Sequence, residues 1–502
     1  MKKYIYLGIL AATWLFAACT DFLDKVPYED PSAEALTDEA SAVALINGAY
    51  QPLQRPKLYN MRIWTLDIIA GNSEVGAGGG TDGIETITLA NFVATADNAS
   101  ALDIWRGPNP GILYCNTVLE SVPEMDIDQG LRNRILGEAR FLRAHYYFIL
   151  VQLFGDVPMT VATPKPGDNL MPARTNRMTI YNEVIIPDLK EAVNLLPVRE
   201  SYSGSDVGRA SKGAAAGMLA KVYLTLGMYE ESLAMSELVE ELGYTLNADY
   251  SDNFGGEERH RNSGESLFEV QYYGLTKAGF WSDENQANWL STYMGPRNSG
   301  WVGGAYGWNQ PTQEFVDSYE EGDLRKDKTI LYEGCPPFDG MQYKASWSNT
   351  GYNVRKFLVP LSVSPDYNTN SAGIVVLRFA DVLLMKAEAL NELGRTQEAE
   401  EPLYRVRRRA GLTDRRDVEG LSREQMREKI RHERRIELAF EGHRWFDMVR
   451  WDEGRYALNF LHSIGKSNAW EKHLLFPIPQ KERDANPNLT QNLDGIEELV
   501  NF

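Results

Sequence analysis

Residues 381–411 read "DVLLMKAEALNELGRTQEAEEPLYRVRRRAG", and residues 214–242 read "AAAGMLAKVYLTLGMYEESLAMSELVEEL". The first places Ala387, then Leu393-Gly394, then Glu398 and Ala399. The second places Ala220, Leu226-Gly227, Glu231 and Ser232 at the same intervals. Each reads as a helix, a tight turn at Gly and a returning helix, with small residues where the two helices touch. This is the tetratricopeptide pattern of paired helices, although neither copy carries the full motif. Weaker echoes near residues 43–54 and 139–155 extend it. The predicted fold class is mostly α, with a tetratricopeptide-like helical scaffold.

Outward from these hairpins the helical period continues. Residues 32–54 carry Ala35, Leu36, Ala40, Val43, Ile46, Ala49 and Tyr50 at helical spacing, with Asp38 or Thr37 as a cap. Helix is also predicted over "GILYCNTVLESV" (111–122), over 131–154, and over "IYNEVIIPDLKEAVNLL" (180–196), where Pro187 must begin or interrupt a helix. "FLRAHYYFILVQLF" (141–154) is apolar almost all round, but it is short and holds Arg143 and His145. It reads as a core helix touched on several sides, not a membrane span.

Between about residues 245 and 375 the period collapses into Gly, Asn, Ser and aromatics. Five of the eleven Trp fall here: Trp281, Trp289, Trp301, Trp308 and Trp347. Long irregular segments inside a compact protein are uncommon and usually functional. Residues 71–100, beginning "GNSEVGAGGGTDG", read as a second loop. Helix resumes at about Ile374 and runs, with breaks, to Gly465, followed by a Pro- and Asn-rich surface tail.

A chain of 502 residues is too long for one ordinary core. A formal charge of −19 argues against nucleic acid or anionic headgroups as partners. The N-terminus, "MKKYIYLGILAATWLFAACTDFLD", has a basic start at Lys2 and Lys3 and an apolar run to Ala18. Residues 1–18 read as an export signal. Leu15-Phe16-Ala17-Ala18-Cys19 reads as a lipobox, which makes Cys19 the lipid-carrying mature N-terminus. Cys115 and Cys335 remain; one disulfide and two buried free thiols are both open.

Chemistry is densest in "ERRIELAFEGHRWFDMVR" (433–450). Read as one helix, it sets Arg434–Glu437, Glu441–Arg444, Arg444–Asp447 and Asp447–Arg450 at i,i+3, where opposite charges are neighbours. Leu438, Trp445 and Val449 form one stripe beside Gly442. Zinc would want two His one turn apart, and a glycosidase two carboxylates across a cleft. The stretch offers neither pattern and reads as a structural framework. There is no G-x-S-x-G elbow, P-loop, paired C-x-x-C or EF-hand loop, and "GAGGG" (76–80) lacks a following Lys-Ser/Thr. No catalytic residue, metal site or cofactor is expected.

Longer segments carry a resemblance. "CTDFLDKVP" (19–27), "IWRGPNPGILYCNTVLE" (104–120), "GEARFLRAHYYFILVQLFGDVP" (137–158), "RFADVLLMKAEALNELG" (378–394), "RHERRIELAFEGHRWFDMVRW" (431–451) and "LLFPIPQKERDANPNLTQN" (474–492) together resemble the SusD/RagB family of Bacteroidetes surface lipoproteins. The resemblance implies a scaffold of this helical kind supporting a loop-rich lobe. It also implies an outer-membrane, cell-surface location through the lipid anchor, and a SusC-like TonB-dependent transporter as partner. The expected activity is non-catalytic capture of an oligosaccharide. Capture of a peptide, a glycoside hydrolase and a pure interaction subunit stand as alternatives. The implied organisation is a helical region over 19–240 and a C-terminal region over 241–502, the latter holding the loop-rich lobe (245–375), framework helices (376–465) and the tail.

Sugar rings present flat patches of C–H on which aromatic faces stack, while amides and charged groups bind the hydroxyls. Within the lobe, Trp281, Trp289, Trp301 and Tyr306 are the candidate platforms, with Asn285, Asn288, Arg297 and Asn298 as polar partners. Trp308 lies in "GWNQPTQEFVDSYEEGDLR", which also looks like a family segment and reads as structural.

Overall fold

The computed structural model describes residues 37–76, 82–274, 279 and 282–492. The scaffold starts with α1 (Glu39–Tyr50), capped by the Asp38 side chain, which accepts from the Ser41 N–H at 2.8 Å. It continues through α2 (Asn109–Ser121), α3 (Gln129–Phe154) and α4 (Ile186–Leu195). The first hairpin is α5 (Lys212–Thr225) with α6 (Tyr229–Glu241), and the second is α7 (Phe379–Glu392) with α8 (Thr396–Arg409). Both turn at the glycines read from the sequence, Gly227 and Gly394, each with positive φ. Each helix packs on the next, and α6 lies against α7, so the two hairpins stack although about 140 residues separate them. Ala220 and Ala387 are fully buried, and Ser232 Oγ donates to the Ala220 carbonyl at 2.9 Å.

α3 is a core helix. Its C-terminal half is buried except at Gln152; Arg143 grips Asp188 at 2.7 and 2.9 Å, and His145 Nε2 meets the Tyr59 hydroxyl at 2.9 Å. The expected interruption at Pro187 is a π turn over Tyr181–Ile185, after which Pro187 sits in the first turn of α4. No helix among the described residues is long and apolar enough to cross a membrane. Cys115 and Cys335 are buried free thiols.

Two expectations are corrected. Residues 71–100 are not one loop. They hold β1 (Ser73–Gly76), a helix over Ile84–Ala90 and the start of another at Ala99. Helix does not resume at Ile374 either: Ile374–Arg378 is a strand, and α7 begins directly after it. That strand pairs antiparallel with β2 (Ser266–Val270), so the irregular lobe leaves and re-enters the scaffold through one two-stranded root. β3 (Trp308–Pro311) pairs with β1 and ties the lobe to the N-terminal part. Sequence periodicity misses these strands because their partners lie about a hundred residues or more away.

Candidate functional site

The 433–450 stretch is not one helix. α9 (Arg423–Glu437) stops, and α10 (Arg444–Arg450) starts after six intervening residues. Between them Phe440 (φ 65°) and Gly442 (φ 80°) turn the chain sharply. Buried Asp67 clamps the corner. Its carboxylate accepts from the Phe440 N–H at 3.1 Å and the Gly442 N–H at 3.0 Å, and Asn72 holds it at 3.1 Å. A side chain at 442 would start 2.8 Å from Ile63 Cγ2, so the corner requires glycine. Burial pushes the Asp67 carboxyl up to about 6 despite these bonds.

The corner also changes the pairing. Of the four i,i+3 pairs read from sequence, only Asp447–Arg450 forms, at 2.9 Å. Glu437 and Glu441 turn inward to cations from distant segments. Glu437 binds Arg325 at 2.8 Å, Arg378 at 2.5 Å and Arg409; Glu441 binds Arg378 at 2.7 Å and Lys356 at 2.6 Å. Burial alone would raise the Glu437 carboxyl, but Arg409, Arg378 and Arg325 outweigh it and hold it well below the usual carboxylate range. Glu441 is also lowered, by Arg378 and Lys356 against burial. A glycosidase pair needs one carboxylic acid kept protonated beside one carboxylate, whereas these two are both ionised and buried against cations. The stretch is a framework, as read, but it works by joining the lobe's Arg325 and Lys356 to the helices.

A second knot adjoins it. Arg434 bridges Asp381 and Asp447, each at 2.9 Å. Lys221 meets Asp381 at 2.7 Å and His443 Nδ1 at 2.8 Å. Burial, reinforced by Lys221, pulls His443 down to about 4, so it stays neutral and accepts from the lysine.

The lobe, held by the first of these knots, places the eight candidate residues very differently. Trp289 is 0% exposed, and its backbone N–H donates to Asn60 at 2.7 Å. Trp301 is 2% exposed, enclosed by Phe338, Tyr343 and Trp347 with ring centroids 5.1–6.2 Å away. A stacking platform must show a face to solvent, so both are corrected from platforms to core. Asn285 and Asn288 are buried too, spending their amides on the Ala287 and Ala372 carbonyls at 2.6 and 2.8 Å. They shape loops and do not reach outward. Trp308 is buried edge-on to Trp64, as its segment suggested. Trp281 lies outside the described residues.

Tyr306 (36% exposed), Arg297 and Asn298 remain at the surface. The Arg297 guanidinium donates to the Tyr306 carbonyl at 3.2 Å and lies 3.6 Å from Asp82. Gly303, three residues before Tyr306, packs on the backbone of Asp366 and Tyr367. Gly274 packs on residues 369–371. Three adjoining segments therefore carry Tyr306, half-buried Tyr367 and Tyr273, which is 66% exposed. The sequence reading missed Tyr273. No periodic signal pointed to it: β2 is buried at every position, and only beyond its end does Tyr272 turn in and Tyr273 out.

Comparisons with known proteins cover nearly the whole chain. The SusD family model matches residues 264–495, and a second, described as "Starch-binding associating with outer membrane", matches residues 21–224. "SusD-like protein P2" of Formosa agariphila is 27% identical over 524 residues, covering 99% of this chain and 100% of that protein. A "SusD-like protein" of Bacteroides ovatus is 29% identical, covering 89% of this chain and 82% of its own length. A solved structure described as a laminarin-binding SusD-like protein superposes with a TM-score of 0.76 at 26% identity, covering 91% of this chain and 99% of that chain.

Proposed function

The chain belongs to the SusD/RagB family, and on that premise we propose that it is a non-catalytic, lipid-anchored glycan receptor of the outer-membrane surface. It captures an oligosaccharide on the loop-rich lobe and delivers it to a SusC-like TonB-dependent transporter. The observation that carries this reading is the pair of exposed rings, Tyr273 and Tyr306, with half-buried Tyr367 on the adjoining segment and Arg297, Asn298 and Asp82 on the Tyr306 side. Aromatic faces stack on sugar C–H patches, and the polar neighbours suit hydroxyls. The buried ionic knots support the same reading, because a fixed lobe presents its rings with little ordering cost. The laminarin-binding relative makes β-glucan the first ligand to try.

The test is calorimetric titration with laminarin oligosaccharides and other neutral glucans, followed by analysis of ligand length after overnight incubation. Saturable binding with unchanged ligand length is expected, and Tyr306→Ala should weaken it about tenfold or more, as for a partly exposed aromatic anchor. Shortened ligand would reject the non-catalytic reading. Full affinity in both Tyr306→Ala and Tyr273→Ala would reject the face.

A further inference from the structure

A separate cavity of about 280 Å³ lies where the scaffold meets the lobe root, and it plays no part in the reading above. One wall is a helical face: Asn47, Tyr50, Gln51 and Gln54 follow one another at i, i+3, i+4 and i+7 along α1 and the tight turn that continues it. The second wall is the end of β2 with Gln271 and Gln286. The third is the 205–209 loop. Gly208 (φ 93°) lets that loop close on the strand, since a Cβ there would sit 2.7 Å from the Gln271 amide carbon.

The chemistry of the lining selects the ligand. The one basic and the one acidic side chain of the lining are already committed. Arg209 donates to Asp206 at 2.6 Å, to Glu138 at 3.1 Å and to Asn47 at 2.9 Å. Glu269 is buried and accepts from the Asn262 N–H at 2.9 Å; burial raises its carboxyl, which favours the neutral form. The amides, by contrast, are fixed and half used. Gln51 donates to the Asp283 carbonyl at 2.6 Å and Gln54 to the Gln271 carbonyl at 2.7 Å, which orients both planes. Their Oε1 atoms have no protein partner among the described residues, nor has the Gln286 amide. Beneath them lie Leu53, Val270 and the Tyr50 ring, with Val207, 47% exposed, at the mouth.

We propose that this cavity binds one neutral sugar residue, at a site distinct from the tyrosine face. Sugar hydroxyls both donate and accept, as amides do, and a pyranose C–H face fits an apolar floor. A charged ligand would meet no uncommitted opposite charge. The volume is at the low end for a ligand site and admits a single ring. The proposal takes only its choice of sugar probes from the reading above.

The experiment follows Leu and Val methyl resonances of the full chain during titration with cellobiose, laminaribiose and lactose, with glucuronate as the charged control. Saturable shifts are expected at Leu53, Val207 and Val270 with at least one neutral disaccharide and not with glucuronate. Val207→Trp fills the mouth from an exposed position and should weaken those shifts at Leu53 and Val270 at least tenfold; Gln286→Leu, also exposed, is the second variant if that one misfolds. Tyr306→Ala should leave them unchanged, which separates this site from the tyrosine face. No saturable shift with any neutral disaccharide overturns the proposal. So does equal binding of glucuronate, or shifts that vanish in Tyr306→Ala and persist in both cavity variants.

Discussion

Trp301 and Tyr306 lie five residues apart and do opposite work. Trp301 fills a ring of three aromatics, so Trp301→Ala leaves a cavity that its neighbours cannot close. The expected cost is about 3–5 kcal/mol, read as a large fall in melting temperature. Tyr306→Ala removes a ring with an exposed edge and should leave melting within about 0.5 kcal/mol of the parent while weakening glycan binding. Differential scanning calorimetry beside the titration tests both. A Trp301→Ala protein that melts like the parent would return that ring to the surface. Nothing in the sequence separates the two residues. Both sit in an aperiodic, Gly-rich stretch, where an aromatic reads the same whether it faces in or out.

At the scale of elements, Glu437 is the keystone of α9. Glu437→Gln leaves Arg325, Arg378 and Arg409 short of one buried negative charge, for an expected loss of about 3–5 kcal/mol in denaturant unfolding. A loss below about 1 kcal/mol, typical of exposed pairs, would show that solvent reaches the knot. The hairpins α5–α6 and α7–α8 were legible because their signals are local: a 3.6-residue period, a glycine turn, and alanines at the contact. The corner at 438–443 was not. The residues around it favour helix, and what ends the helix is Asp67, more than 370 residues away, accepting two corner N–H groups. For the same reason the charges looked like partners along one helix. The framework role was readable from the charge pattern, but the true partners come from the lobe, from Arg378 at the end of the returning strand, and from α8. The scaffold was therefore largely visible in the sequence, while the candidate face was visible only as a region. Of its residues, Tyr306, Arg297 and Asn298 were named, and Tyr273 was hidden by its place at the end of a strand no period announced.

For the whole molecule, acid and the membrane are the two informative stresses. His145 and His443 are buried and neutral, with burial lowering them to about 3 and about 4. Each folded pKa lies below the unfolded value of about 6.5, so unfolding takes up protons. Their contribution is complete above pH 6.5 and is lost as pH falls from there toward the folded values. Asp67, raised to about 6, opposes them below that pH, as do Glu138 and Glu269, whose carboxyls burial also raises. Between pH 7 and 5, His145 alone accounts for about 2 kcal/mol, so His145→Gln should shrink the parent's loss over that interval by that much. An unchanged difference between the two pH values would mean that His145 takes up its proton in the fold as readily as in the unfolded chain. Membrane attachment concerns residues outside those described. A chain of charge −19 gains nothing from anionic headgroups, and none of its described helices is a membrane span. The proposed anchor is the lipobox read at residues 15–19, since acyl chains on one cysteine would supply membrane affinity at about 0.8 kcal/mol per buried CH₂. In a Gram-negative host, the full-length parent should incorporate radiolabelled palmitate and partition into the detergent phase. Cys19→Ala should do neither, while keeping its melting temperature and its glycan affinity in solution. A parent that carries no label, or a Cys19→Ala protein that still enters the detergent phase, would remove Cys19 as the anchor.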